Sequence, residues 1–67
     1  MKLYQYLTGP DDNSFCMRVS AALNDGWELH GQPSLAFDPA KERMICGQAV
    51  VKVVAGTFTD DIKLSDY

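Results

Sequence analysis

Ala22-Leu23-Asn24-Asp25-Gly26-Trp27-Glu28-Leu29 joins two periodicities. Before it, apolar residues recur at helical spacing. At about 100° per residue, Phe15, Val19, Ala22 and Leu23 share one arc, with Cys16 and Arg18 at its margins and Met17, Ser20, Ala21 and Asn24 opposite. After it the period is two: Trp27, Leu29, Gly31, Pro33, Leu35 and Phe37 alternate with Glu28, His30, Gln32, Ser34 and Ala36. Gly26 stands just past the last periodic residue, where a left-handed conformation ends a helix without a Cβ penalty. The junction therefore predicts a helix from Asp12 to Asp25 and a strand from Trp27 to Phe37. Trp27 falls on the apolar side with Leu29 and Leu35 and is read as the anchor that packs helix on sheet.

Upstream, Lys2-Leu3-Tyr4-Gln5-Tyr6-Leu7 is rich in aromatic and aliphatic types and is expected to end as a strand at Thr8-Gly9-Pro10. Asp11, Asp12 and Asn13 all offer side-chain oxygens to the unpaired amides of a helix start, and the sequence does not choose among them. Downstream, Pro33 lacks an amide proton, which confines the second strand to a sheet edge or a bulge. Residues 38–43 read as a polar loop. Met44 to Val54 then carries Ile45, Ala49, Val50, Val51, Val53 and Val54, the densest β-branched run in the chain, which belongs at the centre of a sheet. The expected fold is α+β, a two-layer β-α-β-β arrangement with one helix on a three-stranded antiparallel sheet of order 1-3-2 and a right-handed crossover. Residues 1–54 form this domain. Residues 55–67 form a polar C-terminal tail with Phe58, Ile62, Leu64 and Tyr67 spaced through it, either loosely held or docking on the sheet or a second subunit.

Composition bounds the function. The 67 residues carry a formal net charge of -3, and their six Lys and Arg are scattered from Lys2 to Lys63. Nucleic-acid binding and anionic membrane surfaces both call for clustered cations, so neither is an expected partner. No apolar run approaches the roughly 20 residues of a membrane span and no signal-like segment opens the sequence, so the expected location is cytoplasmic. Cys16 and Cys46 are then most simply free thiols, Cys16 as a small filler at the helix core margin and Cys46 as the more accessible of the two. A chain of this size holds a net stability on the order of 3 to 10 kcal/mol, so a partner subunit can matter to the fold.

Catalytic and cofactor signatures are not expected. His30 is the single histidine, and with two distant cysteines at no metal-binding spacing it does not make a metal site. The five glycines form no phosphate-binding pattern. Asp11-Asp12 and Asp60-Asp61 have ordinary explanations in capping and solubility. The informative feature is the sheet face away from the helix. With Leu3 and Leu7 facing the helix, Tyr4 and Tyr6 lie on the other side, and the third strand is expected to add Val50 and Val54 there. Tyrosine combines apolar area with a hydroxyl, and an uncovered patch of this kind marks an interaction surface. The candidate interface is thus Tyr4, Tyr6, Val50 and Val54. The expected role is a non-catalytic interaction module without a cofactor that self-associates as a homodimer. A shallow small-ligand site using Tyr4, Tyr6, His30 and Gln48 is the alternative.

Three segments together, residues 3–10 (Leu-Tyr-Gln-Tyr-Leu-Thr-Gly-Pro), 22–31 (Ala-Leu-Asn-Asp-Gly-Trp-Glu-Leu-His-Gly) and 45–52 (Ile-Cys-Gly-Gln-Ala-Val-Val-Lys), resemble the family of short bacterial and phage domains called domain of unknown function 1737. The resemblance covers residues 2 to 53 and leaves the tail outside. It implies a compact β-α-β-β module, found alone or at the N-terminus of longer proteins. It carries over no catalytic or binding residue.

Overall fold

The computed structural model describes all of residues 1–67. Strand β1 spans Lys2–Pro10, helix α1 Asn13–Asn24, strand β2 Glu28–Asp38 and strand β3 Arg43–Val53, and a 3-10 turn follows at Leu64–Asp66. β3 lies between β1 and β2 and is antiparallel to both, which is the 1-3-2 sheet expected from its β-branched run. α1 packs on one face of this sheet. No helix is long and apolar enough to cross a membrane.

The helix ends are closed by the residues of the junction and its upstream counterpart. Asp12 is the N-cap, and its Oδ1 accepts from the Ser14 amide at 2.9 Å and from the Ser14 hydroxyl. At the other end the amides of Asp25 and Trp27 both donate to the Ala22 carbonyl at 3.0 Å, with Gly26 at φ +94° making the turn. The chain therefore leaves the helix already aimed into β2.

β1 does not stop at Leu7. It continues through Thr8, Gly9 and Pro10, which pair with Gly47, Cys46 and Ile45. At an edge position Pro10 can do without an amide proton. Gly9 lets the helix come close to this strand, since a Cβ there would lie 3.1 Å from Phe15 Cδ1. The Arg18 guanidinium also donates to the Thr8 carbonyl.

Leu3, Trp27 and Val50 form the buried centre, with Leu7, Ala22, Val54, Ile62 and Tyr67 packed around it. The tail thus closes the core at the start of β1 through Ile62 and Tyr67. Lys52 links the same pieces: its Nζ stands 5.8 Å from the Trp27 ring centroid and 3.6 Å from Asp25 Oδ2, and donates to the Tyr67 carbonyl at 3.2 Å. A cation held over an indole contributes on the order of 0.5 to 1 kcal/mol at such a partly exposed site.

The alternation in β2 survives an irregularity. Between the pairs Leu29↔Val50 and Leu35↔Cys46, six steps of β2 oppose four of β3, and the shift falls between His30 and Ser34. An even excess keeps Leu29, Leu35 and Phe37 on one side. Gly31, at φ +73°, takes the strained backbone position. The buried Gln48 amide fastens the distortion, donating to the Ala49 carbonyl at 2.9 Å and lying 3.4 Å from the His30 and Gly31 carbonyls.

Three helix-side expectations are corrected, among them that Cys46 is the more accessible of the two thiols. Cys16 is exposed rather than a buried filler, and Leu23 on the same ridge is also exposed. The short helix packs mainly against β1, and a groove of about 280 Å³ lies between Cys16 and Val19 on one side and Leu29 on the other. Cys46 is half-buried on the helix side, 3.5 Å from Asp11 Oδ1, and burial together with that carboxylate pushes its thiol pKa up.

Candidate interaction surface

Residues paired across an antiparallel ladder share a face, and faces alternate along each strand. The register therefore decides what stands beside the tyrosines. Tyr4 pairs with Val51, which pairs with Glu28; Tyr6 pairs with Ala49, which pairs with His30; Thr8 pairs with Gly47, which pairs with Ser34. Lys2 and Val53 begin this face, and Arg43 with Asp38 ends it. The helix packs on the other one.

Tyr4 and Tyr6 accordingly stand on the uncovered face, 56% and 48% exposed. Val50 and Val54 do not. Val50 pairs with Gln5 and Leu29, is 0% exposed and sits in the core, while Val54 lies past the end of β3 and packs against that core. The physical reason is that β3 carries valines in both phases of its alternation, so its own pattern does not say which set faces the helix. Pairing with β1 does, and it puts Ala49, Val51 and Val53 beside the tyrosines. Val53, at 77% exposure, is the apolar residue the sequence reading missed. Following Leu3 and Leu7 across to their partners Lys52 and Gln48 would have identified it.

The face has a defined relief. Gly47 and Ala49 make a low centre, and the Tyr6 side chain crosses Gly47 so that its hydroxyl meets Ser34 Oγ at 2.6 Å. This one hydrogen bond links the outer strands over the middle one. His30 is exposed in the Tyr6 row. Gln48 points to the opposite face, so Tyr4, Tyr6, His30 and Gln48 are not brought together as one site.

No group of three or more His, Cys, Asp and Glu side chains is placed to hold a metal ion. At the margin of the open face, Lys2, Leu3 and Tyr4 with Phe58, Asp60 and Ile62 of the tail line a pocket of about 390 Å³.

Fold and surface together define a small open-faced α+β module, one layer of helix on a sheet whose second face is bare. The chain belongs to the family described as Domain of unknown function (DUF1737), whose model matches residues 1–53. No curated protein and no solved structure matches it.

Proposed function

We propose that the protein is a non-catalytic, cytoplasmic interaction module of bacterial or phage origin that forms a homodimer through its open sheet face. One observation carries the reading: a full face of the sheet is bare and holds Tyr4, Tyr6 and Val53 at about half exposure or more, while only five hydrophobic residues of the chain are buried. Contiguous exposed apolar area of this kind is characteristic of interaction sites. The sheet edges compete poorly for the role. On β2, Pro33 and the irregularity beside it interrupt the pattern that another strand would have to match, and on β1 Arg18 occupies the Thr8 carbonyl.

Three strands spaced by about 4.8 Å and roughly 30 Å long present a projected area on the order of 400 Å² per copy. That is below the usual half-interface of about 800 Å², so the association belongs to the weak class and is measured at tens to hundreds of micromolar. Sedimentation equilibrium over that range is expected to show a monomer–dimer equilibrium that Tyr6→Ala shifts to monomer. A monomer at every concentration, unchanged by Tyr6→Ala, overturns the reading.

The second reading is a small-ligand-binding domain using the same face. The pocket beside Tyr4 favours it, because about 390 Å³ lies within the range of small-molecule sites. Native mass spectrometry separates the two: a doubled mass supports assembly and a small added mass supports a ligand.

A further inference from the structure

The open face carries an unpaired cation and an unpaired anion at the same end but on opposite edges. Lys2 opens β1 in the Val53 row, and Glu28 opens β2 in the next row with Val51. Both are exposed, and the two ion pairs of the chain, Arg43–Asp12 and Lys52–Asp25, use neither. Asp60, which lines the pocket beside Lys2, forms no ion pair with it. The outer strands stand about 9.6 Å apart and successive rows about 6.8 Å along the strand, so Lys2 and Glu28 of one copy are too far apart to pair with each other.

We propose that two open faces stack about a twofold axis running along β3, so that Lys2 of each copy pairs with Glu28 of the other. This rests on the homodimer reading above. Face-to-face stacking of two identical sheets has two simple twofold choices. An axis along β3 exchanges the edges and keeps the ends, which sets β1 over β2 of the second copy. It places Lys2 against Glu28 twice and Tyr6 over His30 twice, with the low centre at Gly47 and Ala49 between them. Arg43, which this axis sets against Arg43 of the second copy, is already paired with Asp12 at 3.5 Å. An axis across the strands instead exchanges the ends and keeps the edges. It lays the Glu28 end of β2 over the Asp38 end, setting like charges together, and carries Lys2 to the Pro10 end of β1, where the nearby Asp12 carboxylate is already paired with Arg43. Charge complementarity selects the first, with the slight rotation of roughly 30° that aligned sheets adopt.

Exchanging the charges tests the axis. Sedimentation equilibrium at low salt is run on the wild type, Lys2→Glu, Glu28→Lys and the double exchange, with circular dichroism to confirm that each is folded. Each single reversal turns two attractions into two repulsions and is expected to weaken dimerisation roughly tenfold. The double exchange is expected to return to within about twofold of wild type, and 1 M salt to narrow all the differences. A dimer of unchanged strength in both single variants overturns the axis but leaves the homodimer reading standing. Tightening by Glu28→Lys overturns it in favour of the axis across the strands. A wild-type chain that is monomeric throughout overturns the homodimer reading, and this inference with it.

Discussion

The Tyr6 hydroxyl and Ser34 Oγ lie 2.6 Å apart across the full width of the sheet, and they can meet only because Gly47 has no side chain. A Cβ on Gly47 would come within 2.7 Å of the Tyr6 ring carbon bearing the hydroxyl. Gly47→Ala must therefore swing Tyr6 off the sheet and break the bond to Ser34. The ring is half-exposed and free to move, so the expected cost is about 1 kcal/mol, that of one hydrogen bond. Tyr6→Phe loses the same bond without moving the ring. A double-mutant cycle on urea unfolding is expected to find the two substitutions strongly non-additive; additive costs would mean that Gly47→Ala does not act through the Tyr6–Ser34 bond.

Val50 and Val53 test which phase of β3 faces the helix. Val50 is fully enclosed by Leu3 and Trp27, and Val53 is 77% exposed on the other side. Val50→Ala is expected to cost about 2 kcal/mol from lost burial and the cavity left behind. Val53→Ala is expected to stay within about 0.5 kcal/mol. Thermal or urea denaturation of the two variants at low protein concentration, where the monomer prevails, measures the difference. Equal losses would contradict the register.

Most of this fold was legible because neighbouring signals agreed. The helical period, Gly26 and the alternation after Trp27 each place the same boundary, and the β-branched run places β3 in the centre. The surface was legible only in part. Tyr4 and Tyr6 sit on a strand whose other phase holds Leu3 and Leu7, so one strand suffices to orient them. β3 has no such contrast at residues 50–54, and its orientation comes from a pairing between residues some fifty positions apart. The exposure of Cys16 and Leu23 was hidden for a different reason: a helical wheel gives the direction of the apolar arc but not how far a 12-residue helix extends over three strands.

Gln48 is the polar residue on which the β2 irregularity depends. Its amide serves the carbonyls of Ala49, His30 and Gly31, which lie where β2 and β3 fall out of step. Gln48→Leu keeps the volume near constant and removes the donors, leaving inward carbonyls unsatisfied at a cost of about 1 to 3 kcal/mol. Native-state hydrogen exchange is expected to quicken for residues 30–34 while the β1–β3 amides hold their protection. Uniform quickening across the sheet would show instead that Gln48 supports the fold as a whole.

The N-cap gives stability a defined dependence on pH. Asp12 has its pKa lowered, first by the hydrogen bond from the Ser14 hydroxyl, which outweighs the opposing effect of desolvation with further help from the Ser14 and Phe15 amides and the charge of Arg43. A carboxyl with a folded pKa below its unfolded value of about 3.9 contributes stability that is fully present above that value. The contribution is lost as pH falls through the folded pKa, because protonation then occurs in the folded state too and removes the charge that the cap uses. Asp12→Asn retains a capping oxygen but not the charge, whereas Asp12→Ala loses both. At pH 7 both variants are expected to melt below wild type, Asp12→Ala the lower of the two. As pH falls through the folded pKa of Asp12 the gap between wild type and Asp12→Asn closes, while Asp12→Ala stays lower. Melting curves from pH 2 to 7 check this, and a gap to Asp12→Asn that stayed constant down to pH 2 would show that the charge of Asp12 is not what stabilises the helix.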